Sequence, residues 1–134
     1  MNKNIVWIAS YPKSGNTWMR SFLSSLYYTP DGSFNFKTLK NINYFDRPFY
    51  YNPVLLGEKI EKKQGLKQIS KFRIDAQKNF NKKKKLLFFK THSANIKINN
   101  FSYTNAQNAR GVIYIIRDPR DVVLSYSNFS KTTI

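Results

Sequence analysis

Three short apolar runs divide the chain into candidate strands. They are Ile5 to Ser10, Leu86 to Phe89 and Val112 to Ile116. Runs of this length without polar alternation are typical of strands buried on both faces of a parallel sheet. Each run leads into polar residues at its carboxyl end, where open α/β sheets bind their ligands. The pattern therefore predicts an α/β fold with a site at one edge of the sheet.

Apolar residues at helical spacing follow the first and third runs. After the turn at Ser14-Gly15, a helix is expected that ends near Tyr28, before a Pro-Asp-Gly turn signal. A second helix is expected from Pro119, whose ring suits a first helical turn, with Asp118 and Asp121 at its positive end. The apolar stripes are Trp18, Met19, Phe22, Leu23 and Leu26 in the first helix, and Val122, Val123, Tyr126 and Phe129 in the second.

The middle of the chain has a weaker pattern. Residues 33–56 are predicted to be irregular, with one short helix near Phe36 to Ile42. From Gly57 to Asn81 the pattern is helical with an interruption near Gly65. The run Lys82 to Lys85 is interpreted as a solvated loop after a helix C-terminus, and a polyanion-binding patch is the alternative. One face of the predicted helix is formed by Ile69, Phe72, Ala76 and Phe80.

Composition restricts the possible chemistry. The 134 residues include 23 Lys and Arg against 7 Asp and Glu, giving a net charge of +16 that favours an anionic partner. The chain has no cysteine, which excludes disulfides, thiolate metal sites and a cysteine nucleophile, and its single histidine excludes a multi-histidine metal centre. No apolar stretch approaches the length of a membrane span, and Ile5 to Ala9 is too short for a signal sequence, so a soluble cytoplasmic protein is expected.

The residues between the first strand and the first helix suit an anion. Glycine in a tight turn exposes backbone N–H groups, the helix N-terminus contributes a positive dipole end, and a lysine with hydroxyl side chains completes a phosphate cradle. Lys13, Ser14, Gly15, Asn16 and Thr17 provide these groups, but the lysine precedes the glycine, unlike the Walker A order.

Three segments resemble the sulfotransferase family, whose members use 3′-phosphoadenosine-5′-phosphosulfate (PAPS). Pro12 to Trp18 resembles the family's 5′-phosphosulfate loop, and Phe89 to His92 resembles its catalytic-histidine strand end. Arg117 to Tyr126 resembles its 3′-phosphate motif, in which an arginine and a serine stand eight residues apart. The three segments occur in the family's order, and their sequences most resemble those of bacterial members. The resemblance implies a P-loop NTPase-like, three-layer parallel sheet with flanking helices.

The same resemblance implies a role for each site residue. Lys13, Ser14, Gly15, Asn16 and Thr17 would hold the 5′-phosphosulfate. Arg117 and Ser125 would hold the 3′-phosphate, and Trp18 would stack on adenine. His92 would be the general base, with Lys13 and Lys90 stabilising the leaving group and no metal required.

The residues around His92 agree with that chemistry. An imidazole with an ordinary pKa near 6.5 can accept a hydroxyl proton at neutral pH. Lys90 and His92 alternate with Thr91 in a strand, so both are expected to face the same side. The reaction implied is in-line sulfuryl transfer from PAPS to a hydroxyl or amine acceptor.

The resemblance extends over residues 1–134 but corresponds to the N-terminal portion of a typical sulfotransferase domain. The chain is therefore expected to be part of a single domain that is incomplete at its C-terminus and binds PAPS weakly by itself. Asn16 stands where many members have threonine, and Ser93-Ala94 replaces a common Leu-Pro pair. The acceptor is not identified, and the aromatic stretch Tyr44 to Tyr51 fits either an acceptor pocket or a core segment.

Two other functions remain as alternatives. The charge of +16 suits a nucleic-acid-binding module, although many aromatic residues occupy apolar runs and stripes rather than basic segments. A phosphoryl-transferring kinase of P-loop-like architecture is the second, although the Walker lysine position and a magnesium carboxylate are missing. Relative affinity for RNA and magnesium dependence would distinguish these alternatives.

Overall fold

Strands and helices alternate along the chain. The computed structural model describes residues 3–47, 50–51, 65–83 and 85–131. The strands are β1 (Ile5–Ser10), β2 (Leu87–Thr91), β3 (Lys97–Ile98), β4 (Phe101–Ser102) and β5 (Ala109–Ile115). The helices are α1 (Asn16–Tyr28), α2 (Gly65–Ser70), α3 (Arg73–Asn81) and α4 (Pro119–Ser130), with a 3-10 helix at Phe36–Asn41.

The main sheet has three parallel strands in the order β2-β1-β5. Ala9 of β1 pairs with Thr91, and Ser10 pairs with Ile115. Because all three strands run in one direction, their carboxyl ends meet at the same edge. The segments that follow β1, β2 and β5 are thereby brought together.

Alternating side chains of β1 supply two separate cores. On one face, Ile5 and Trp7 pack with Phe89 and with Ala76 of α3. On the other face, Ile8 packs with Leu23 of α1. Each cluster buries apolar area, which stabilises the fold by roughly 25 cal/mol per Å². The described residues thus form an α/β fold with helices on both faces of a parallel sheet, consistent with a P-loop-like architecture.

The expected strand–loop–helix units are confirmed in their order and approximate bounds. β1, α1 and the three predicted strand positions occur as expected, and the short helix predicted near Phe36 is a 3-10 helix. The predicted helix from Gly57 to Asn81 is two helices, α2 and α3, separated at residues 71–72. Its first part, residues 57–64, lies outside the described residues. Ile69 and Ala76 are buried on the predicted face, with Phe72 and Phe80 packed against them.

The β3–β4 hairpin was not predicted. Asn99 and Asn100 form its two-residue turn, and both have positive φ angles, of 51° and 66°. Positive φ at both central residues is characteristic of a type I′ hairpin turn, in which asparagine is favoured. The Asn-Asn pair was therefore a usable signal for this hairpin.

The prediction that the third strand is buried is wrong. Val112, Tyr114 and Ile116 are exposed, because the face of β5 that carries them is uncovered among the described residues. The apolar stripes are also only partly buried. Leu23 of α1 and Val122 of α4 are buried. The exposed members of the two stripes are Trp18, Phe22, Leu26, Val123, Tyr126 and Phe129.

Candidate functional site

The loop between β1 and α1 has an unusual backbone. Lys13 and Gly15 both have positive φ, of 67° and 105°. Ser14 N–H donates to the Tyr11 carbonyl at 3.3 Å, which closes the turn. Gly15 is the N-cap of α1, and no side chain caps that end. The first N–H groups of α1 therefore remain available as donors next to Lys13.

His92 is tied to the carboxyl end of β1. Its Nδ1 lies 2.7 Å from the backbone carbonyl oxygen of Ser10 and 3.3 Å from the Ser10 Oγ. A carbonyl oxygen can only accept, so Nδ1 carries the proton and donates it. In the neutral imidazole, Nε2 then keeps a free lone pair. The neutral ring therefore has one nitrogen that can accept a proton.

Burial and charge favour the neutral form of His92. Burial is the main cause that lowers the pKa of His92, and the Lys90 charge lowers it further, while the hydrogen bond to Ser10 partly opposes them. Burial also lowers the pKa of Lys90, and the charges of Arg20 and Arg47 act in the same direction. The environment of His92 is thus cationic and partly desolvated.

The N-terminus of α4 positions Arg117. Asp118 is the N-cap and accepts from Arg120 N–H at 2.9 Å, with Pro119 in the first turn, as predicted. Arg117 Nη1 donates to the Lys13 carbonyl at 3.1 Å, and its Nε lies 3.7 Å from a carboxylate oxygen of Asp121. Arg117 therefore links α4 to the β1–α1 loop, whereas Arg120 is paired with Asp118 and exposed.

One cavity of about 520 Å³ joins the three segments. Among the residues that the structure describes, no acidic side chain lines this cavity, and a carboxylate oxygen of Asp121 lies 3.7 Å from Arg117 Nε. The lining includes eight of the predicted site residues, namely Lys13, Gly15, Asn16, Thr17, Lys90, His92, Arg117 and Ser125.

Two predicted site residues lie outside this lining. Ser14 is buried and lines a neighbouring cavity with Tyr11 and Arg117. Trp18 is 70% exposed on α1 and stacks on Phe22, with ring centroids 6.2 Å apart. The indole is therefore accessible, but it faces solvent rather than the cavity.

Asn16 lies in the cavity wall with its side chain directed at β1. It is 5% exposed, and its Nδ2 donates to the Ile8 carbonyl at 3.0 Å and to Ser10 Oγ at 3.2 Å. The amide donors of Asn16 are therefore engaged by the strand that also orients His92.

Sequence reasoning missed several neighbours of the site. Ser10 orients His92, and the parallel pairing of β1 with β2 was the available signal, since Ala9 stands beside Thr91. Phe129 of α4 lines the cavity, and Lys13 Nζ lies 4.5 Å from the centre of its ring. The ring of Tyr44 lies 6.4 Å from that of His92. No pattern in the sequence pointed to Phe129 as a site residue, whereas Tyr44 begins the aromatic stretch for which an acceptor pocket was one of the two interpretations.

A second cavity lies on the opposite face of the sheet. It has a volume of about 630 Å³, and its wall includes Trp7, Ala9 and Thr91. Successive side chains of a strand point to opposite faces, so these three lie on the face of the sheet opposite to Lys90. In the part of the chain that the structure describes, no charged side chain or histidine lines this cavity. The acid–base groups are thus concentrated in the smaller cavity.

The described residues offer neither a metal site built from acidic and histidine side chains nor a membrane-spanning helix. Within the ranges that the structure describes, no three or more His, Asp and Glu side chains are grouped so as to hold a metal ion. In the same ranges, no helix is both long enough and apolar enough to cross a membrane.

Comparison with known proteins assigns the chain to a family. No curated protein matches the chain significantly. The family model described as the sulfotransferase domain matches residues 3–133, which include all three motif segments of the cavity. The chain therefore belongs to the sulfotransferase domain family.

Proposed function

We propose that this chain transfers the sulfuryl group of PAPS to a hydroxyl or amine acceptor, with His92 as the general base. The observation that carries the proposal is the cavity of about 520 Å³, which contains residues of all three motif segments. Membership of the sulfotransferase family supports sulfuryl transfer as the reaction class.

The donor would be held at its two anionic ends. Lys13 and the uncapped N–H groups at the start of α1 suit the 5′-phosphosulfate. The side-chain amide of Asn16 donates to β1, so Asn16 would contact the 5′-phosphosulfate through its backbone N–H. Arg117 and Ser125, which line the same cavity, suit the 3′-phosphate.

The adenine would lie outside the cavity. Trp18 presents an exposed indole on α1, already stacked on Phe22. An exposed aromatic face can stack on a purine base without a dedicated pocket. We therefore assign Trp18 to adenine, at the solvent side of the donor.

His92 and the two lysines would share the chemical step. His92 Nε2 takes the acceptor's proton as the acceptor oxygen or nitrogen bonds to sulfur. The bond between sulfur and the bridging oxygen of the 5′-phosphate breaks, and its electron pair leaves with the 3′,5′-bisphosphate. Lys13 and Lys90 neutralise the charge that develops on the bridging and sulfuryl oxygens. As in phosphoryl transfer, positioning and electrostatic stabilisation would provide most of the rate.

Removal of one lysine tests whether the cavity binds the donor. Lys13→Met should weaken calorimetric binding of 3′,5′-adenosine bisphosphate by about 10- to 100-fold, because it removes a charged hydrogen-bond donor. Lys85→Met makes the same change of charge at an exposed position and should leave the affinity unchanged. Equal losses in both variants would indicate general charge attraction and contradict the assigned site.

A further inference from the structure

Asp46 is a buried carboxylate beside the segment that carries His92. Its side chain is 1% exposed, as is that of Arg73, whose Nη2 lies 3.1 Å from Asp46 Oδ1. Tyr51 OH donates to the same oxygen at 3.3 Å. Ser93 Oγ donates to the other oxygen, Oδ2, at 2.9 Å. Both carboxylate oxygens are therefore occupied by donors from distant parts of the chain.

Fold stability alone is a weak reason for such an arrangement. Removing two charges from water is costly, and a buried ion pair often stabilises a protein no more than apolar residues of similar size. Arg73 is also stacked over Tyr103, with the guanidinium carbon 4.6 Å from the ring centre. The pair gives Asp46 a single orientation that is fixed from α3.

Asp46 acts on the residue directly after His92. Ser93 Oγ donates to Asp46, and Ser93 N–H donates to Thr91 Oγ1 at 3.0 Å. The turn that follows β2 is thus held through both the side chain and the backbone N–H of Ser93. A shift of Ser93 would move the backbone of His92.

The segment before Asp46 holds the strand on the other side of His92. Lys90 N–H donates to the Asn43 carbonyl at 2.9 Å, and Phe45 N–H donates to the Lys90 carbonyl at 3.2 Å. Residues 43–46 therefore contact the chain both before and after His92. With the Ser10 carbonyl on Nδ1, they determine where Nε2 is presented.

We propose that Asp46, anchored by Arg73, is a positioning residue that fixes the orientation of the His92 imidazole through Ser93. The inference rests on the proposed role of His92 as the general base. Asp46 itself does not touch the reacting atoms. Its contribution is to hold the turn in which the Nδ1–H of His92 bonds to Ser10, a hydrogen bond that selects the basic nitrogen.

NMR of the imidazole tests this directly, because His92 is the only histidine in the chain. In the native protein, the imidazole ¹⁵N shifts should report protonated Nδ1 and unprotonated Nε2 above the His92 pKa. Asp46→Asn and Ser93→Ala should shift both nitrogens toward the averaged values of a mobile ring. Ser93→Thr retains the hydroxyl and should keep the native shifts.

Kinetics provide the second readout. Both variants should lower kcat by about 10- to 100-fold, the effect expected of a misplaced catalytic group, with unchanged affinity for 3′,5′-adenosine bisphosphate. Asn81→Ala is the matched control, since Asn81 is buried and bonds the Asn4 N–H and the Asn108 carbonyl rather than Asp46, Arg73 or Ser93. It should lower the melting temperature but leave the imidazole shifts and kcat unchanged.

The possible results separate the two proposals. Native imidazole shifts in Ser93→Ala would overturn the positioning role, whether or not Asp46→Asn folds. Full sulfuryl transfer by His92→Gln would instead overturn the proposed function. The imidazole shifts need no acceptor and no activity, so they decide the positioning role in either case.

Discussion

At the scale of single residues, His92 and Lys90 determine how the site responds to pH. Both are partly buried, and both have lowered pKa values. A lysine near a desolvated histidine raises the free energy of the imidazolium, so the neutral base is favoured. The charge of Lys90 is likewise opposed by burial and by the neighbouring arginines.

The pH profile of sulfuryl transfer should follow this lowered pKa. A general base acts only when unprotonated, so kcat/KM should rise as the pH rises through the pKa of His92 in the free enzyme and then level off. The midpoint should lie below 6.5, the ordinary value for histidine, since burial and Lys90 outweigh the hydrogen bond to Ser10. The measurement is kcat/KM against pH, paired with an NMR titration of the single histidine in the ligand-free protein. A midpoint above 6.5 in both would contradict the arrangement.

At the scale of elements, the site depends on the left-handed turn that starts α1. Gly15 has φ of 105°, and a Cβ there would meet its nearest neighbour, Ile115 Cγ2, at 3.9 Å, which is an ordinary contact. The constraint on this position is therefore the backbone conformation rather than space.

Gly15→Ala should destabilise the fold by about 1–2 kcal/mol, the cost of a left-handed conformation for a residue with a Cβ. It should also weaken binding of 3′,5′-adenosine bisphosphate, because relaxation of the turn moves the N–H groups of α1. Gly111→Ala is the control, since Gly111 has ordinary φ and open space and should lose no stability. Chemical denaturation measures both. Equal stabilities of the two variants would show that the turn is unstrained.

Ile8 and Ile116 are apolar residues of the same type at a buried and an exposed position. Ile8 in β1 is fully buried, whereas Ile116, just after β5, is 80% exposed. Ile8→Ala should cost about 2–5 kcal/mol, and Ile116→Ala should change stability by less than about 0.5 kcal/mol. Thermal unfolding of both variants measures this difference. A large loss from Ile116→Ala would mean that this end of β5 is covered in solution.

Local units of the fold were predictable from the sequence, and distant contacts were not. The β1–α1 and β5–α4 units are contiguous and carry their own start signals, such as Pro119 after Asp118. The exposure of β5 depends on which elements cover its faces, and an apolar run does not encode that. Asp46 bonds Arg73 and Ser93, which are 27 and 47 residues away, so no local pattern indicated its role.

At the scale of the whole molecule, two groups of cationic residues that contribute to the net charge of +16 lie in different surroundings. Lys13, Lys90 and Arg117 meet in one cavity, where a donor with phosphates at both ends would neutralise them. Lys82, Lys83 and Lys85 are exposed, as expected of a solvated loop. General attraction of anions is screened by salt, whereas paired contacts in a partly buried cavity are screened less.

The central claim is that His92 acts as the base in a site that binds PAPS. The most direct test compares transfer of ³⁵S from PAPS to simple alcohols, phenols and amines by the native chain and by His92→Gln, with calorimetric binding of 3′,5′-adenosine bisphosphate measured for both. The account predicts transfer by the native chain, a loss of about 10²- to 10⁴-fold in His92→Gln, and equal nucleotide affinity. Native rates of transfer in His92→Gln would contradict it.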